Sequence, residues 1–257
     1  MSEIHSTAVI DPKAEIGADV DIGPYCVIGP KARVENGCRL ISHVNIAGNT
    51  VLGESCEVYP FASIGMKTQD MKYAGGDPGV RIGGKTTIRE YVTINAATYD
   101  GDFTRIGSGC LLMAYAHVAH DCQIEEDVIM ANCATLAGHI IVESQVIIGG
   151  LAGVHQFVRL GRMSIVGGCS KVVKDVPPYM MADGHPLEIK GLNNIGLKRR
   201  NVSLEHRKTV KEAYKILYRQ NLTTSLAVEK IKSEVERIPE VAHILEFIEK
   251  SERGITK

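Results

Sequence analysis

Three short segments carry the side chains best suited to chemistry: AHVAHDC over 116–122, LAGHI over 136–140 and GVHQF over 153–157. Together they hold His117, His120, His139 and His155, with Asp121, a bare Gly138 and Gln156 among them. His120, Gly138 and Gln156 stand 18 residues apart, and so do Asp121 and His139. An imidazole whose ordinary pKa is near 6.5 can take a proton from a hydroxyl nucleophile. A glycine N–H with no side chain in the way can donate to a developing oxyanion. That equipment suits acyl transfer, provided the fold stacks residues 18 apart.

The repeat supplies that stacking. An aliphatic residue recurs at every sixth position: Ile4, Ile10, Ile16, Ile22, Ile28, Val34, Leu40, Ile46, Leu52, Val58 and Ile64. The series resumes at Ile82, Ile88 and Ile94, and again from Ile106 and Leu112 to Val166 and Val172. Neither a helix, near 3.6, nor a plain strand, at 2, generates a period of six. Two residues earlier runs a register of small or β-branched side chains, among them Ala8, Ala14, Val20, Cys26, Ala32 and Cys38. The pattern is that of a hexapeptide solenoid, in which short strands turn a corner every six residues. Three such strands make a coil of about 18 residues, with neighbouring coils ~4.8 Å apart. His120 then lies under Gly138 and Gly138 under Gln156, with His155 alongside.

Composition narrows the function. The chain has 257 residues and a formal net charge of −1, which gives no electrostatic case for nucleic acid or an anionic membrane as partner. The start, MSEIHSTAVIDPK, has no signal-peptide core, and no apolar run approaches the ~20 residues a membrane span needs. The expected location is cytoplasmic. Of the seven cysteines, Cys26, Cys38, Cys56, Cys110 and Cys122 fall in the small-residue register, and no CxxC pair occurs. They read as small core hydrophobes, not as disulfides or zinc ligands.

The expected architecture is a mainly β solenoid over 1–178, then a linker and a small C-terminal α-helical domain over 179–257. Polar, Gly-rich stretches near 66–81 and 98–104 interrupt the repeat but return in phase, as loops inserted at a corner do. The repeat is expected to stop near Asp175–Pro178, where paired prolines cannot continue a ladder. Ser203 can cap a helix running to about Arg219, and amphipathic segments follow at about Ser225–Arg237 and Val241–Arg253.

A histidine on the outside of a solenoid is most often solvated or at an interface; four within three coils shift the balance toward catalysis. The basic run Lys198, Arg199, Arg200 would ordinarily be a solvated face. Several longer strings add to these signals: QDMKYAGG, LLMAYAHVAHDC, ATLAGHI, AGVHQF, VGGCSKVVKDVPPY, GLNNIGLKRR and the final SERGITK. On these strings the chain resembles the UDP-N-acetylglucosamine O-acyltransferase family of lipid A biosynthesis over essentially its whole length. The resemblance implies a left-handed parallel β-helix, an exception to the right-handed crossover rule, and a homotrimer with sites between neighbouring subunits. It implies transfer of an (R)-3-hydroxyacyl group from the phosphopantetheine arm of acyl carrier protein to the 3-position of a UDP-sugar, with no cofactor and no metal.

By motif, His120 would be the general base, Asp121 its partner and Gly138 the oxyanion donor. Asp70, Lys72, His117, His139 and Gln156 would line the sugar and phosphate site, with His155 in the same cleft. Asn193, Arg199 and Arg200 would reach the nucleotide, Arg offering bidentate donors to phosphate, and Gly168 would set acyl-chain length. Two departures bear on the acceptor. TINAAT carries Asn95, Ala96 and Ala97 where the family commonly has His-Arg-Gly, and Ile195 stands where an acidic nucleotide contact is common. Both leave open whether oxygen or a 3-amino nitrogen accepts the acyl group. Three other readings compete. The N-acyltransferase later in that pathway carries a separate N-terminal uridine-binding domain, whereas this chain enters the repeat by Ile4. A γ-class carbonic anhydrase would need three histidines on zinc, two of them spaced more widely than His117 and His120. A non-enzymatic scaffold gives no reason to gather His120, His139 and His155 opposite a glycine.

Overall fold

In the computed structural model, which describes residues 3–257, the hexads form short strands that close a three-sided parallel solenoid. Met1 and Ser2, at the start of the expected solenoid, lie outside the described residues. The first face has 11 strands beginning at Glu3–Ile4, the second has 9 beginning at Val9–Ile10, and the third has 8 beginning at Glu15–Ile16. The chain visits the faces in that order, coil after coil. Partners stand 18 residues apart, as in Ile4 with Ile22 and His117 with Thr135. Across the first inserted loop the offset becomes 30, Val58 pairing Ile88, and across the second 24, Ile88 pairing Leu112. Each offset is a multiple of six, so every aliphatic residue still points inward; a slip of one residue would turn the set outward.

The two apolar registers form one continuous column. Ile22, Ile28, Leu40, Ile46, Leu52, Val58 and Ile64 are buried, as are Val20, Cys26, Ala32, Cys38 and Val44. In the terminal coil, Ile4 stays half exposed. Most corners hold one non-glycine residue at positive φ, Asp121 and His139 among them, a conformation that costs roughly 1–2 kcal/mol per residue. Each fully buried Ile or Leu contributes about 1.5–3 kcal/mol, so the column outweighs the strain of its corners. All seven cysteines are free. Burial pushes the Cys110 thiol up to about 11 and Cys122 to about 12, which makes them inert.

The first insertion is narrower than expected from the repeat, and the second begins two residues earlier. Strands run to Met66 and resume at Gly79, then run to Asn95 and resume at Phe103. Both loops connect a second-face strand to a third-face strand, so both leave from the second corner. Residues 119–122, 137–140 and 155–158 turn at that same corner. The prolines also act differently. They remove a third-face strand, but the first face continues, Met181 and Ala182 pairing in parallel with Ile165 and Val166. The segment expected as linker then folds into an antiparallel hairpin, Met180–Asp183 with Glu188–Leu192.

Four helices follow: α1 Asn194–Arg199, α2 Leu204–Arg219, α3 Thr224–Glu234 and α4 Pro239–Glu249. The Ser203 side chain caps α2 as expected, accepting from the His206 N–H. Helix α3 starts at a Thr223 cap, and α4 starts at Pro239 because a fixed φ suits the first helical turn. The chain end returns to the last coil: Ser251 Oγ donates to the buried Asp175 at 2.6 Å, and Phe247 packs under the Arg159 guanidinium. This layer covers the strand edge an open solenoid would expose.

Candidate active site

The second corner gathers the titratable groups. Asp121 is its hub. Its Oδ2 accepts from the Thr98 hydroxyl at 2.7 Å and lies 2.8 Å from His120 Nδ1, while Oδ1 accepts from the Thr98 N–H at 3.1 Å. His139 Nε2 stands 3.6 Å from the same Oδ2. Burial alone would raise the carboxyl pKa, but the Thr98 and His120 hydrogen bonds and the nearby His139 together hold it below the usual range. Because Asp121 is a carboxylate that only accepts, His120 Nδ1 carries the proton. The neutral ring then presents an unprotonated Nε2.

That nitrogen sits against Gly138. A Cβ built on Gly138 would fall 2.4 Å from His120 Cε1, 2.7 Å from Nε2 and 3.0 Å from Nδ1. The imidazole therefore packs directly on the glycine backbone, in space that any side chain would occupy. The Gly138 carbonyl accepts from Phe157 N–H, while its own N–H meets no acceptor among the described residues. A proton acceptor and a free backbone donor thus stand side by side.

Both inserted loops brace this pair. The Asp70 N–H donates to Thr68 Oγ1 at 3.1 Å, and Thr68 Oγ1 lies 3.3 Å from Thr98 Oγ1, whose proton goes to Asp121. Asn95 Nδ2 donates to the Lys67 carbonyl at 3.0 Å, joining the roots of the two loops, while its buried Oδ1 has no partner. Thr98 and Thr68 were not among the residues expected from sequence. The signal for Thr98 lay next to the TINAAT departure, but a hydroxyl on a loop announces nothing until the loop is seen to fold back.

The expected residues divide into two groups. Asp70, His120 and His139 converge, with ligand atoms all within 4.8 Å of one another. His139 crosses His120 edge-on at 5.2 Å and stacks on Phe157 at 4.8 Å. His117 is on the second face, hydrogen-bonded to Thr93 Oγ1 at 2.7 Å; burial, and then His120, depress its pKa. Lys72 is exposed on the first loop, its N–H held by Asp70 Oδ1. His155 and Gln156 are exposed one coil above Gly138. Gly168 turns at the first corner, across the second face from His120, where a Cβ would come within 3.2 Å of the Gly150 carbonyl oxygen.

Asn193, Arg199 and Arg200 form the second group. They border a cavity of about 660 Å³ floored by Ile147, Met163, Ile165 and Leu192. Ile147 and Ile165 belong to first-face strands, and the first face is opposite the second corner. Asn193 spends its side chain inside the protein: Nδ2 donates to the Met163 carbonyl and Oδ1 accepts from Gly196 N–H, capping α1. Arg200 pairs with Asp127 at 3.0 Å, and Arg199 is exposed. Ile195 projects into solvent at 67% exposure on the cavity rim, and offers no hydrogen bond there. One chain alone does not bring this group to His120.

A family model described as UDP N-acetylglucosamine O-acyltransferase, domain 2, matches residues 175–256, and one for bacterial transferase hexapeptide repeats matches 1–36 and 103–138. The acyl-[acyl-carrier-protein]–UDP-N-acetylglucosamine O-acyltransferase of Thermodesulfovibrio yellowstonii is 52% identical over 258 residues, covering 100% of both chains. A solved structure from Acinetobacter baumannii superposes with a TM-score of 0.95 at 42% identity and covers 99% of each chain. That of a UDP-N-acetylglucosamine acyltransferase from Bacteroides fragilis gives a TM-score of 0.97 at 37% identity, covering 99% of this chain and 100% of its own.

Proposed function

This chain belongs to the UDP-N-acetylglucosamine O-acyltransferase family, and on that premise we propose how its residues divide the work of moving an acyl chain from acyl carrier protein to the UDP-sugar. The observation that carries the reading is the His120–Asp121 hydrogen bond, with Nε2 packed on the free Gly138 amide. His120 Nε2 takes the proton of the sugar 3-hydroxyl as its oxygen attacks the thioester carbonyl. The carbonyl oxygen becomes an oxyanion held by the Gly138 N–H. Collapse re-forms the carbonyl and breaks the C–S bond, and the imidazolium returns its proton to the departing thiolate. Asp121, itself held by Thr98, keeps the ring in the productive tautomer and offsets the imidazolium charge. The acyl group is an (R)-3-hydroxyacyl chain, and the transfer is the first step of lipid A biosynthesis.

The second group of residues requires a second copy. If Arg199 and Arg200 bind the nucleotide phosphates, the first face of one copy must lie against the second face of its neighbour. Repeated around a closed ring, that contact makes a homotrimer with sites at the seams. It also turns every first corner toward the axis. That corner carries an exposed aromatic ladder, Tyr25–His43–Phe61–Tyr91–Tyr115, with ring centroids 4.8–5.0 Å apart.

Purified protein given 3-hydroxyacyl carrier proteins with UDP-N-acetylglucosamine or its 3-amino analogue, with products read by mass spectrometry, tests the reading. We expect the acylated oxygen ester and no turnover difference in a metal chelator. The Asp70–His120–His139 trio resembles a ligand set, but a metal there would occupy Nε2, the atom that must accept the proton. Activity lost in chelator and restored by zinc would favour a metal-dependent reaction instead.

Truncating Arg199 or Arg200 to alanine should raise the Michaelis constant for the UDP-sugar and leave kcat nearly unchanged. Contacts equally strong in ground and transition states set affinity alone. Arg→Lys should rescue only in part, since an ammonium keeps the charge and loses the planar fork. If the donor constant rises instead, this basic run docks the carrier protein.

A further inference from the structure

We propose that the third corner, where the chain turns from the third face to the first, carries an oxyanion site for a phosphate group, free or at the end of a small organic molecule. The site is separate from the second corner and does not rest on the acyl-transfer reading. In the upper coils the chain answers the turn amides of this corner with its own carboxylates. Glu125 Oε2 accepts from Ser144 N–H at 2.8 Å, and Glu143 Oε2 accepts from Arg162 N–H at 2.8 Å. Each glutamate follows the last inward residue of a third-face strand, as Gly53 follows Leu52 and Gly83 follows Ile82 lower down. The amides above those two glycines belong to Gly84 and Ser108, and neither meets an acceptor among the described residues. The chain cannot supply one from below. A Cβ on Gly53 would fall 2.7 Å from Gly84 N, and one on Gly83 would fall 2.5 Å from Ser108 N, so the close backbone approach excludes a side chain.

Two guanidinium groups share a cavity of about 800 Å³ with these amides, Arg81 and Arg105. They pair in register on adjacent third-face strands, ~4.8 Å apart, and both lie over the Phe103 ring, at 3.7 and 5.3 Å from its centroid. Arg81 donates only to neutral oxygens, the carbonyls of Asn49 and Val80 and the Asn49 side chain. Arg105 is exposed and makes no hydrogen bond or ion pair among the described residues. Burial, then the charge of Arg105, depresses Arg81, the response of a desolvated cation held beside a like charge.

The carboxylates in the lining do not neutralise the pair. Glu125 is engaged by Ser144, Glu35 lies 3.8 Å from Arg33, and Glu54 is exposed. Planar guanidinium forks and backbone N–H groups that converge on one space are the donor set that phosphate oxygens accept. The cavity is far larger than one phosphate, which leaves room for an organic remainder.

The test titrates inorganic phosphate, and separately glycerol phosphate, into the parent protein at constant ionic strength. UDP-N-acetylglucosamine is kept saturating so that Arg199 and Arg200 are occupied. Binding is read by calorimetry and by the rise in melting temperature that a ligand of the native state produces. Arg105→Ala should weaken both ligands about tenfold, through loss of a charge-assisted contact, and Arg105→Lys should recover part of it. Ser108→Pro removes one amide and should cost a similar factor. The turn accepts proline there: Pro24 and Pro60 precede the positive-φ residues Tyr25 and Phe61 as Ser108 precedes Gly109. Melting without ligand reports the fold of each variant. Tighter binding of glycerol phosphate would assign the site to an organic phosphate, and equal binding to the free ion. A parent protein that binds neither, or affinities unmoved in both Arg105→Ala and Ser108→Pro, would overturn the site. Absence of acyl transfer by the parent would overturn the catalytic reading and leave this binding result standing.

Discussion

Replacing His120 by alanine is expected to lower turnover by about 10²- to 10⁴-fold, the usual worth of a positioned general base, with little change in melting temperature. The side chain lies outside both packed registers and is partly exposed, so its removal opens no cavity in the apolar column. Asp121 loses one donor but keeps both contacts from Thr98, so no buried carboxylate is stranded. The defect should appear in kcat with the UDP-sugar constant nearly unmoved. The proposed two-copy arrangement adds a sharper readout. At a UDP-sugar concentration far below the raised Michaelis constant of an Arg199→Ala/Arg200→Ala variant, where that variant is nearly silent, mixing it with His120→Ala protein under conditions that exchange subunits should restore part of the activity, because some seams then combine an intact His120 with intact arginines. Parent-like turnover in His120→Ala across the pH range would remove this residue from the mechanism. Failure of the mixture to recover any activity, once exchange is demonstrated, would remove the shared site.

A second large loss is expected from Gly138→Ala, a change of one methyl group that leaves every catalytic side chain present. The new Cβ would meet the His120 ring at 2.4–3.0 Å, closer than real Cβ contacts come, so the ring must swing away. Its 2.8 Å contact with Asp121 then breaks, and the base is lost along with the open approach to the amide. Removing one oxyanion donor costs about 10²–10³ in kcat, and displacing the base adds to it. Gly138 does not have a positive φ, so alanine imposes no backbone strain, and the fold should survive. The double variant His120→Ala/Gly138→Ala should be little slower than the slower single variant, since groups acting as a unit are not additive. Ordinary activity in Gly138→Ala would show that the ring and the glycine do not work together.

Much of the fold was legible because a strict period admits few solutions. Six residues per strand and corner put Ile22, Ile28 and Leu40 inside, and the same arithmetic stacks His120 under Gly138. The paired prolines misled for a local reason: losing N–H donors ends a ladder on one face, but the chain turned early and the first face continued through Met181 and Ala182. The hairpin and the six-residue α1 were missed because each is shorter than its pattern needs to stand out.

The sequence by itself determined the solenoid, the capped helix from Ser203, the inert cysteines and the identity of the residues on the second corner, since each follows from spacing and residue type. Tertiary structure alone decided three things. Thr98 holds Asp121 because an inserted loop returns to its own corner, a path no local propensity records. His120 Nε2 is the free nitrogen because Asp121 engages Nδ1, which depends on two side-chain directions. Asn193, Arg199 and Arg200 stand opposite the second corner because the segment that carries them packs on the first face, and a side chain cannot reach across a packed apolar column.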